Sequence, residues 1–570
     1  MGSPSQDQDR SSTSNSVADE AAKNTLALNP MVGLRSRDFV DAARTVFKAA
    51  ISQPGIAVNQ WVSFLGDVGK AVVGEGTRSV EPGDKRFSDP AWKTSRLHRK
   101  VLQSYLAWSD ALSAFVDKVD LDERDRARAK LITGMLIDAL APTNALLANP
   151  AAVKRLVDTD GESLWAGLKN YIEDLIKNGG MPSQVDSKPF AVGKNIATTP
   201  GAVVFREPVF ELIQYKPLTE QVWRRPVVIT PPQINKYYSL DLTPEKSLVR
   251  FLLQEGFQVF CISWRNPKPE QRDWGLDTYV RAVDEAVDVA RAISRSTDVS
   301  MFGACSGGIT GAAYVAWQAG WGHSKVSNLV LAVCTLDPST VEDTTLGTLV
   351  TPVTIEAARK ASQTRGVLDG RELAKVFAWL RPNDLIWNYW VSNYLMGNAP
   401  PAFDILFWNN DTTALPARLH SDYLDLIETN PFRRAGALSI LGTPIDMGKV
   451  KVDSYVVAGT TDHITPWKAV YQTARILGDK TTFVLSNSGH LQCLVNPPGN
   501  PKASFASGPA KAVNPDRFAA TAEKQAGSWW THWSAWLSTR SGEKVAAPSE
   551  LGSERFPPRE AAPGTYVFNA

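Results

Sequence analysis

The distribution of apolar and polar positions divides the chain into stretches of different period. Residues 1–25 are almost wholly polar, rich in Ser, Asp, Gln and Asn, and predict a disordered tail. From Arg37 the pattern turns helical, with Phe39, Ala43, Val46, Phe47, Ala50 and Ile51 on one face. Gln53-Pro54-Gly55 interrupts it, and a second amphipathic run follows through Val58, Trp61, Val62, Leu65 and Val68. Such faces serve core or subunit packing, or attachment to a hydrophobic surface. Helical periodicity continues over 98–119, 123–141 and 164–177, so 26–193 reads as a mostly helical N-terminal domain.

Beyond Gly193 the period changes. Residues 202–205 and 210–215 read as a hairpin, and 226–230 as a short buried strand ending at Pro231-Pro232. A helix over 244–254, a strand over 257–263 and an amphipathic helix over 279–293 follow. Further strands are expected from Val299 and over 326–333, 452–458 and 482–485, the last taken as the end of the sheet. Strands alternating with helices predict a doubly wound, mainly parallel sheet spanning 194–570. The long stretch between Val333 and Val452 carries little strand pattern and many aromatics, among them Trp390, Tyr394 and Trp408. It reads as a cap insertion over about 337–434. Its rings either line a gate or subunit contact or fill the cap's own core.

Candidate chemistry centres on Gly303-Ala304-Cys305-Ser306-Gly307-Gly308, which follows an apolar run and precedes a Gly- and Ala-rich helical segment. Strand, Gly-x-Cys-x-Gly, helix is the layout of a nucleophile elbow, here with Cys in place of Ser. Placed mid-sheet, it suggests an α/β-hydrolase fold. The helix that starts there favours thiolate through its dipole and amides. The plain alternative is a buried structural Cys in a Gly-rich turn. A Cys nucleophile needs a base and a group to orient it, in the chain order nucleophile, acid, His. Of six His, His98 precedes the sheet, His323 and His420 precede its last predicted strands, and His532 lies in a Trp-rich segment. His490, in Ser488-Gly489-His490 past the final predicted strand, is the expected base. Asp462, after the preceding strand, is the expected acid, with its neighbour His463 in a supporting position. Asp337, after the strand ending at Val333, is the rival acid. The oxyanion hole is expected to combine the Ser306 amide with one from the loop 231–236, Ile234 first, then Gln233 or Asn235.

Composition narrows the function classes. A net charge of +2 over 570 residues argues for neither nucleic acid nor an anionic partner. Four Cys, at 261, 305, 334 and 493, show no metal or disulfide spacing and fit a reducing compartment. No apolar run of transmembrane length is seen, nor a signal peptide in the first thirty residues. Eighteen Trp serve ordinary packing or a large apolar surface or cleft.

Several motifs together resemble the polyhydroxyalkanoate synthases. They are the elbow Gly-Ala-Cys-Ser-Gly-Gly, PPQINKYY from Pro231, ISWRNP from Ile262, RPNDLIWNYWVSNY from Arg381, FDILFWNNDT from Phe403, GTTDHITPW from Gly459 and SGHLQCLVNPPGNP from Ser488. The likeness runs from about residue 25 to the end, through Pro563-Gly564-Thr565-Tyr566-Val567. PPQINK and FDILFWNNDTT look closer to class II, the medium-chain type, than to class I. The resemblance implies a Cys-Asp-His triad on Cys305, Asp462 and His490, in agreement with the reading of the residues themselves. It also implies a 3-hydroxyacyl-CoA substrate, a growing polyester chain, a homodimer, no metal or redox cofactor, and a cytoplasmic place at the surface of polyester granules, with granule-coat proteins as neighbours. The competing readings are a thioesterase, esterase or depolymerase of the same fold, and a non-catalytic protein of the granule surface.

Overall fold

Strings of β-branched and aromatic residues with no polar alternation set the middle of the molecule. Val227–Thr230 (VVIT), Val259–Trp264 (VFCISW) and Val299–Ala304 (VSMFGA) are buried along their whole length. That is the pattern of parallel strands covered on both faces. The computed structural model describes residues 51–340, 352–371 and 382–569, together with Arg44, Lys48, Ala374 and Ala378. The predicted tail 1–25 and the predicted face from Phe39 to Ala50 lie outside the described residues.

Ten strands form the main sheet. In chain order they are β1 (Gly201–Arg206), β2 (Phe210–Tyr215), β3 (Val227–Thr230), β4 (Val259–Trp264), β5 (Val299–Ala304) and β6 (Val326–Ala332). Then come β7 (Asp453–Gly459), β8 (Thr481–Ser486), β9 (Ser504–Pro509) and β10 (Glu523–Ala526). Their order across the sheet is β1-β2-β4-β3-β5-β6-β7-β8-β9-β10. From β4 to β8 all neighbours are parallel, while β1, β2, β9 and β10 pair antiparallel. This is the α/β-hydrolase fold. The crossing of β3 and β4 puts β5 at the centre, and its carboxyl end opens onto the loops that follow β3, β7 and β8.

The sheet runs beyond its expected end. Ser504–Pro509 (SFASGP) has no alternating apolar pattern, and only the open edge of β8 makes it a strand, with Phe505 opposite Ser486 and Ser507 opposite Val484. β10 extends it by the same pairing.

Ahead of the sheet lie helices α1 (Pro54–Val73), α2 (Arg96–Lys118), α3 (Glu123–Ala139), α4 (Pro150–Asp158) and α5 (Glu162–Lys177). Helix α4 was not expected from periodicity. It is started locally, by the Asn149 side chain accepting from the amides of Ala151 and Ala152, with Pro150 at the first helical position. Ile56 and Ala57 of α1 pack on Phe115, Val116 and Val119 of the α2 end. Trp61, Val62 and Leu65 point the other way and are 61%, 64% and 61% exposed, so that face lies outside the core formed by the described residues. Helices α6 (Leu276–Ser294) and α7 (Ser306–Gly320) pack on the central strands.

Between β6 and β7 the chain forms α8 (Pro352–Arg365), two π-helical turns (Asn383–Trp387 and Trp390–Leu395), α9 (Asp404–Asn410) and α10 (Ala417–Thr429). Trp387, Trp390 and Tyr394 pack ring on ring within the insertion, and three of its aromatic residues also reach out of it with their polar ends. Trp390 donates to the Asn144 carbonyl at 3.1 Å, and Tyr394 to the buried Asp174 carboxylate at 2.8 Å. A Cβ on Gly167 of α5 would overlap the Tyr394 carbonyl, so the two backbones touch. Trp408, 1% exposed, donates to the Lys236 carbonyl at 2.7 Å. These rings fasten the insertion to the N-terminal helices and to the loop after β3. Among the described residues no helix is long and apolar enough to cross a membrane. After β7 come α11 (Trp467–Ile476) and, after β8, the short α12 (His490–Leu494).

Candidate active site

Cys305 stands between β5 and α7 with φ 50° and ψ −122°. A non-Gly residue in this region of backbone space costs about 1–3 kcal/mol, and such strain persists only where neighbours hold it. Here the Cys305 amide donates to the Ala332 carbonyl of β6 at 2.9 Å, and its carbonyl accepts from Gly308 at 2.9 Å. The flanking glycines are required by close approach. A Cβ on Gly303 would stand 2.6 Å from the Gly308 Cα, and one on Gly307 would overlap the carbonyls of Thr230 and Pro231. The turn therefore lifts the thiol out of the sheet at the amino end of α7, where Cys305 remains half-buried.

Two further loops meet it. His490 opens α12, four residues past β8, and Asp462 sits three residues past β7. Their exposures are 3% and 6%. The His490 Nδ1 lies 2.7 Å from Asp462 Oδ2 and 3.2 Å from the Thr465 hydroxyl, and Cys305 is near enough to act on the imidazole electrostatically. With Nδ1 donating to the carboxylate, Nε2 is left for sulfur. Asp462 is held in turn by the amides of Ile464 (2.8 Å) and Thr465 (2.9 Å) on Oδ1 and by the Thr465 hydroxyl (2.7 Å) on Oδ2. Burial on its own would raise the Asp462 pKa, yet the His490 charge and these hydrogen bonds hold it below its ordinary value. Burial would likewise lower His490, but Asp462 and Cys305 overcome it and push it up to about 10. An imidazole paired with a buried carboxylate in this way can store a proton and release it later.

The loop after β3 runs along the first turn of α7. The Gln233 amide donates to Ser306 Oγ at 3.3 Å, its side-chain nitrogen to Thr310 Oγ1 at 2.9 Å, and its side-chain oxygen accepts from Tyr423 at 2.9 Å. The Ile234 carbonyl accepts from the Thr413 amide at 2.9 Å. No protein acceptor is found for the Ile234 amide among the described residues. The Ser306 amide opens α7, so it too has no acceptor within the helix.

The comparisons with known proteins bear on what this site serves. Residues 83–252 match the family model described as "Poly-beta-hydroxybutyrate polymerase (PhaC) N-terminus", and residues 226–497 that of the "alpha/beta hydrolase fold". The chain is 51% identical over 548 residues to "Poly(3-hydroxyalkanoate) polymerase 1" of Ectopseudomonas oleovorans, covering 96% of this chain and 98% of that one. The chain belongs to the poly(3-hydroxyalkanoate) polymerase family. It is an enzyme, and its class is acyltransferase. "Poly(3-hydroxyalkanoate) polymerase 2" of the same organism is 46% identical over 561 residues, covering 97% of this chain and 100% of that one. "Poly(3-hydroxyalkanoate) polymerase subunit PhaC" of Cupriavidus necator is 40% identical over 492 residues, covering 85% and 83%. The greater likeness to the Ectopseudomonas pair accords with the class II character of the motifs.

Within this polymerase the rival acid is engaged elsewhere. Asp337 binds Asn430 at 2.7 Å, the Ser339 amide at 3.0 Å and Arg433 at 2.9 Å. The other His are apart from the sulfur: His98 leans on Trp92 and Ser95, His420 on Ser362, and His532 on Tyr455, while His323 is exposed in a loop. His463, next to Asp462, is half-buried. Sequence reasoning missed Thr465, which bonds Asp462 through both amide and hydroxyl. The available signal was Asp-x-x-Thr-Pro just ahead of a helix, a common Asx-turn arrangement. It also missed Thr413 and Tyr423 as braces of the loop after β3. No local pattern marks them, because their partners lie far away in sequence.

Proposed function

We propose that the polymerase converts 3-hydroxyacyl-CoA thioesters into polyhydroxyalkanoate through an acyl-enzyme on Cys305. His490 takes the thiol proton and the thiolate attacks the thioester carbonyl. The oxyanion forms against the amides of Ser306 and Ile234, each donor worth roughly 3 kcal/mol. Collapse breaks the bond to sulfur of CoA, which leaves as a thiol with the proton from His490. One thioester has replaced another, so the acyl group stays activated. Nε2 of His490 next takes the proton of the 3-hydroxyl of an incoming unit. The alkoxide attacks the acyl-Cys305 carbonyl, an ester forms, and Cys305 is released for the next cycle. No redox or metal chemistry enters these steps.

The observation that carries this reading is the buried Asp462–His490 pair, 2.7 Å apart, close to the Cys305 elbow in a chain of the polymerase family. Water must be kept from the acyl-enzyme, and the apolar insertion packed around the loop after β3 suits that task. The exposed apolar face of α1 supports attachment to the polyester granule in the cytoplasm, among granule-coat proteins. A homodimer is part of the proposal on the family likeness alone. The decisive assay feeds purified enzyme with 3-hydroxyacyl-CoA and follows free thiol and product together. Polymer in ester bonds matching CoA released is expected. Free 3-hydroxy acid as the main product would replace this reading with that of a thioesterase.

A further inference from the structure

The loop after β3 is held from two sides. On the side of the insertion, the Gln233 carbonyl accepts from Thr413 Oγ1 at 2.6 Å, the Ile234 carbonyl from the Thr413 amide at 2.9 Å, and the Lys236 carbonyl from Trp408 at 2.7 Å. Away from the insertion, Gln233 is bonded to Ser306 and Thr310 of α7, Trp264 of β4 donates to the Pro231 carbonyl at 2.8 Å, and the far end of the loop is anchored by the Lys236 side chain. It is 5% exposed, and its ammonium donates to the main-chain carbonyls of Val567 at 3.0 Å and Asn569 at 2.5 Å. A buried ammonium bound to neutral carbonyls is costly to maintain. Burial draws the Lys236 pKa down, and the charge of Asp411, itself bonded to Tyr238 at 2.7 Å, only partly opposes this.

The segment that receives Lys236 is itself firmly seated. Glu211 of β2, fully buried, accepts from the amides of Thr565 (2.9 Å) and Tyr566 (3.0 Å) and from the Thr565 hydroxyl (2.6 Å). Arg559 and Ala562 donate to the carbonyls of Val203 (2.8 Å) and Gly201 (2.9 Å) of β1. A firmly seated segment therefore meets the far end of a loop whose backbone is otherwise tied, among the described residues, to the insertion, to the first turn of α7 and, at Pro231, to Trp264 of β4.

We propose that Lys236 is a positioning residue for acyl transfer: it pins the loop that carries the Ile234 amide to the seated segment Val567–Asn569. It touches neither substrate nor reacting atoms. This rests on the proposed oxyanion role of Ile234, two residues before Lys236. A donor must stand within a few tenths of an ångström of the developing oxyanion to stabilise it, so a loosened loop costs rate and leaves the thiol and imidazole as they were.

The test uses the full chain and three changes: Lys236→Met, deletion of residues 567–570, and the two combined. Each is measured for CoA release and, separately, for alkylation of Cys305 by iodoacetamide. Alkylation displaces iodide at a saturated carbon and forms no oxyanion, so it reads only the thiol and its base. Lys236→Met and the deletion are each expected to lower kcat at least about tenfold with KM within about threefold. Alkylation should stay within twofold of wild type, and the combined variant should be no slower than the slower single one, since both break one link. Equal loss of alkylation and acyl transfer would make Lys236 a residue of general stability and overturn the proposal. So would unchanged kcat in Lys236→Met, or losses that multiply in the combined variant. Ile234→Pro, which removes the amide hydrogen, separates the two ideas. If it keeps full kcat the oxyanion reading fails. If it loses kcat while Lys236→Met does not, only the role of Lys236 fails. Thermal melts of all variants accompany the assay, and Lys236→Arg, which retains the charge and donors, is expected to recover part of the rate with the same melting temperature as Lys236→Met.

Discussion

Replacing Asp462 by Asn tests the proposed chemistry most directly, because the substitution keeps shape and removes only charge and one acceptor. Asp462 now accepts four hydrogen bonds, from two amides on Oδ1 and from Thr465 and His490 on Oδ2. An Asn side chain has one oxygen, and the two amides cannot turn away, so that oxygen faces Ile464 and Thr465. Its NH2 then faces the partners of Oδ2. The Thr465 hydroxyl can rotate to accept. His490 can accept only by moving its proton from Nδ1 to Nε2, which aims an N–H at sulfur and leaves no base for the thiol. A wrong tautomer of this kind costs about 10⁴ in kcat in a triad, or about 5.4 kcal/mol at about 1.36 kcal/mol per decade. The cost in stability is smaller, about 1–2 kcal/mol for a charge-assisted bond made neutral. Turnover should therefore collapse in a protein that still gives the wild-type near-ultraviolet circular dichroism. The assay is CoA release at saturating substrate, well below the melting temperature. Asp337→Asn is the control: Asp337 is itself buried and accepts from Ser339, Asn430 and Arg433, so the change should cost about 1–3 kcal/mol in stability but less than about threefold in rate. Retention of a tenth of wild-type turnover by Asp462→Asn, or a heavier loss in Asp337→Asn, refutes the assignment of the acid.

Cys305→Ala should abolish CoA release while leaving the melting temperature within a few degrees, and it relieves none of the turn's positive φ; Cys305→Ser should keep a trace of activity, since an alkoxide is harder to form. The raised pKa of His490 carries a stability signature. Its contribution is fully present below the unfolded value of about 6.5 and is lost as pH rises through the folded value of about 10. The urea midpoint of wild type should thus exceed that of His490→Gln by a margin that shrinks steadily from pH 6.5 to 10, and a constant margin across that range would show that the imidazole gains no proton on folding. Trp61→Ser with Leu65→Ser, at positions 61% exposed each, should change stability by less than about 0.5 kcal/mol per site. Binding to polyester granules in a sedimentation assay should nonetheless weaken, while CoA release in solution holds; unaltered granule binding would remove α1 from the attachment.

Local chemistry made much of this protein readable from its sequence. A continuous run such as Val-Phe-Cys-Ile-Ser-Trp needs cover on both faces, so the parallel core could be expected before any coordinates. The elbow was readable because its turn admits no Cβ at Gly303 or Gly307, a constraint that acts between residues a few positions apart. Asp462 and His490, the proposed acid and base, were expected from their places after successive strands, and the fold brings them 2.7 Å apart. What tertiary structure alone decided involves partners distant in the chain. Strand β9 exists because β8 has an open edge, not because Ser-Phe-Ala-Ser-Gly-Pro prefers extension. Trp390, Tyr394 and Trp408 read as cap aromatics, yet their polar ends reach Asn144, Asp174 and Lys236. Asp337 and Asp462 each follow a strand, and only the packing shows one carboxylate turned to Arg433 and the other to His490. A side chain's direction depends on which loop arrives beside it, and period and propensity hold no record of that meeting.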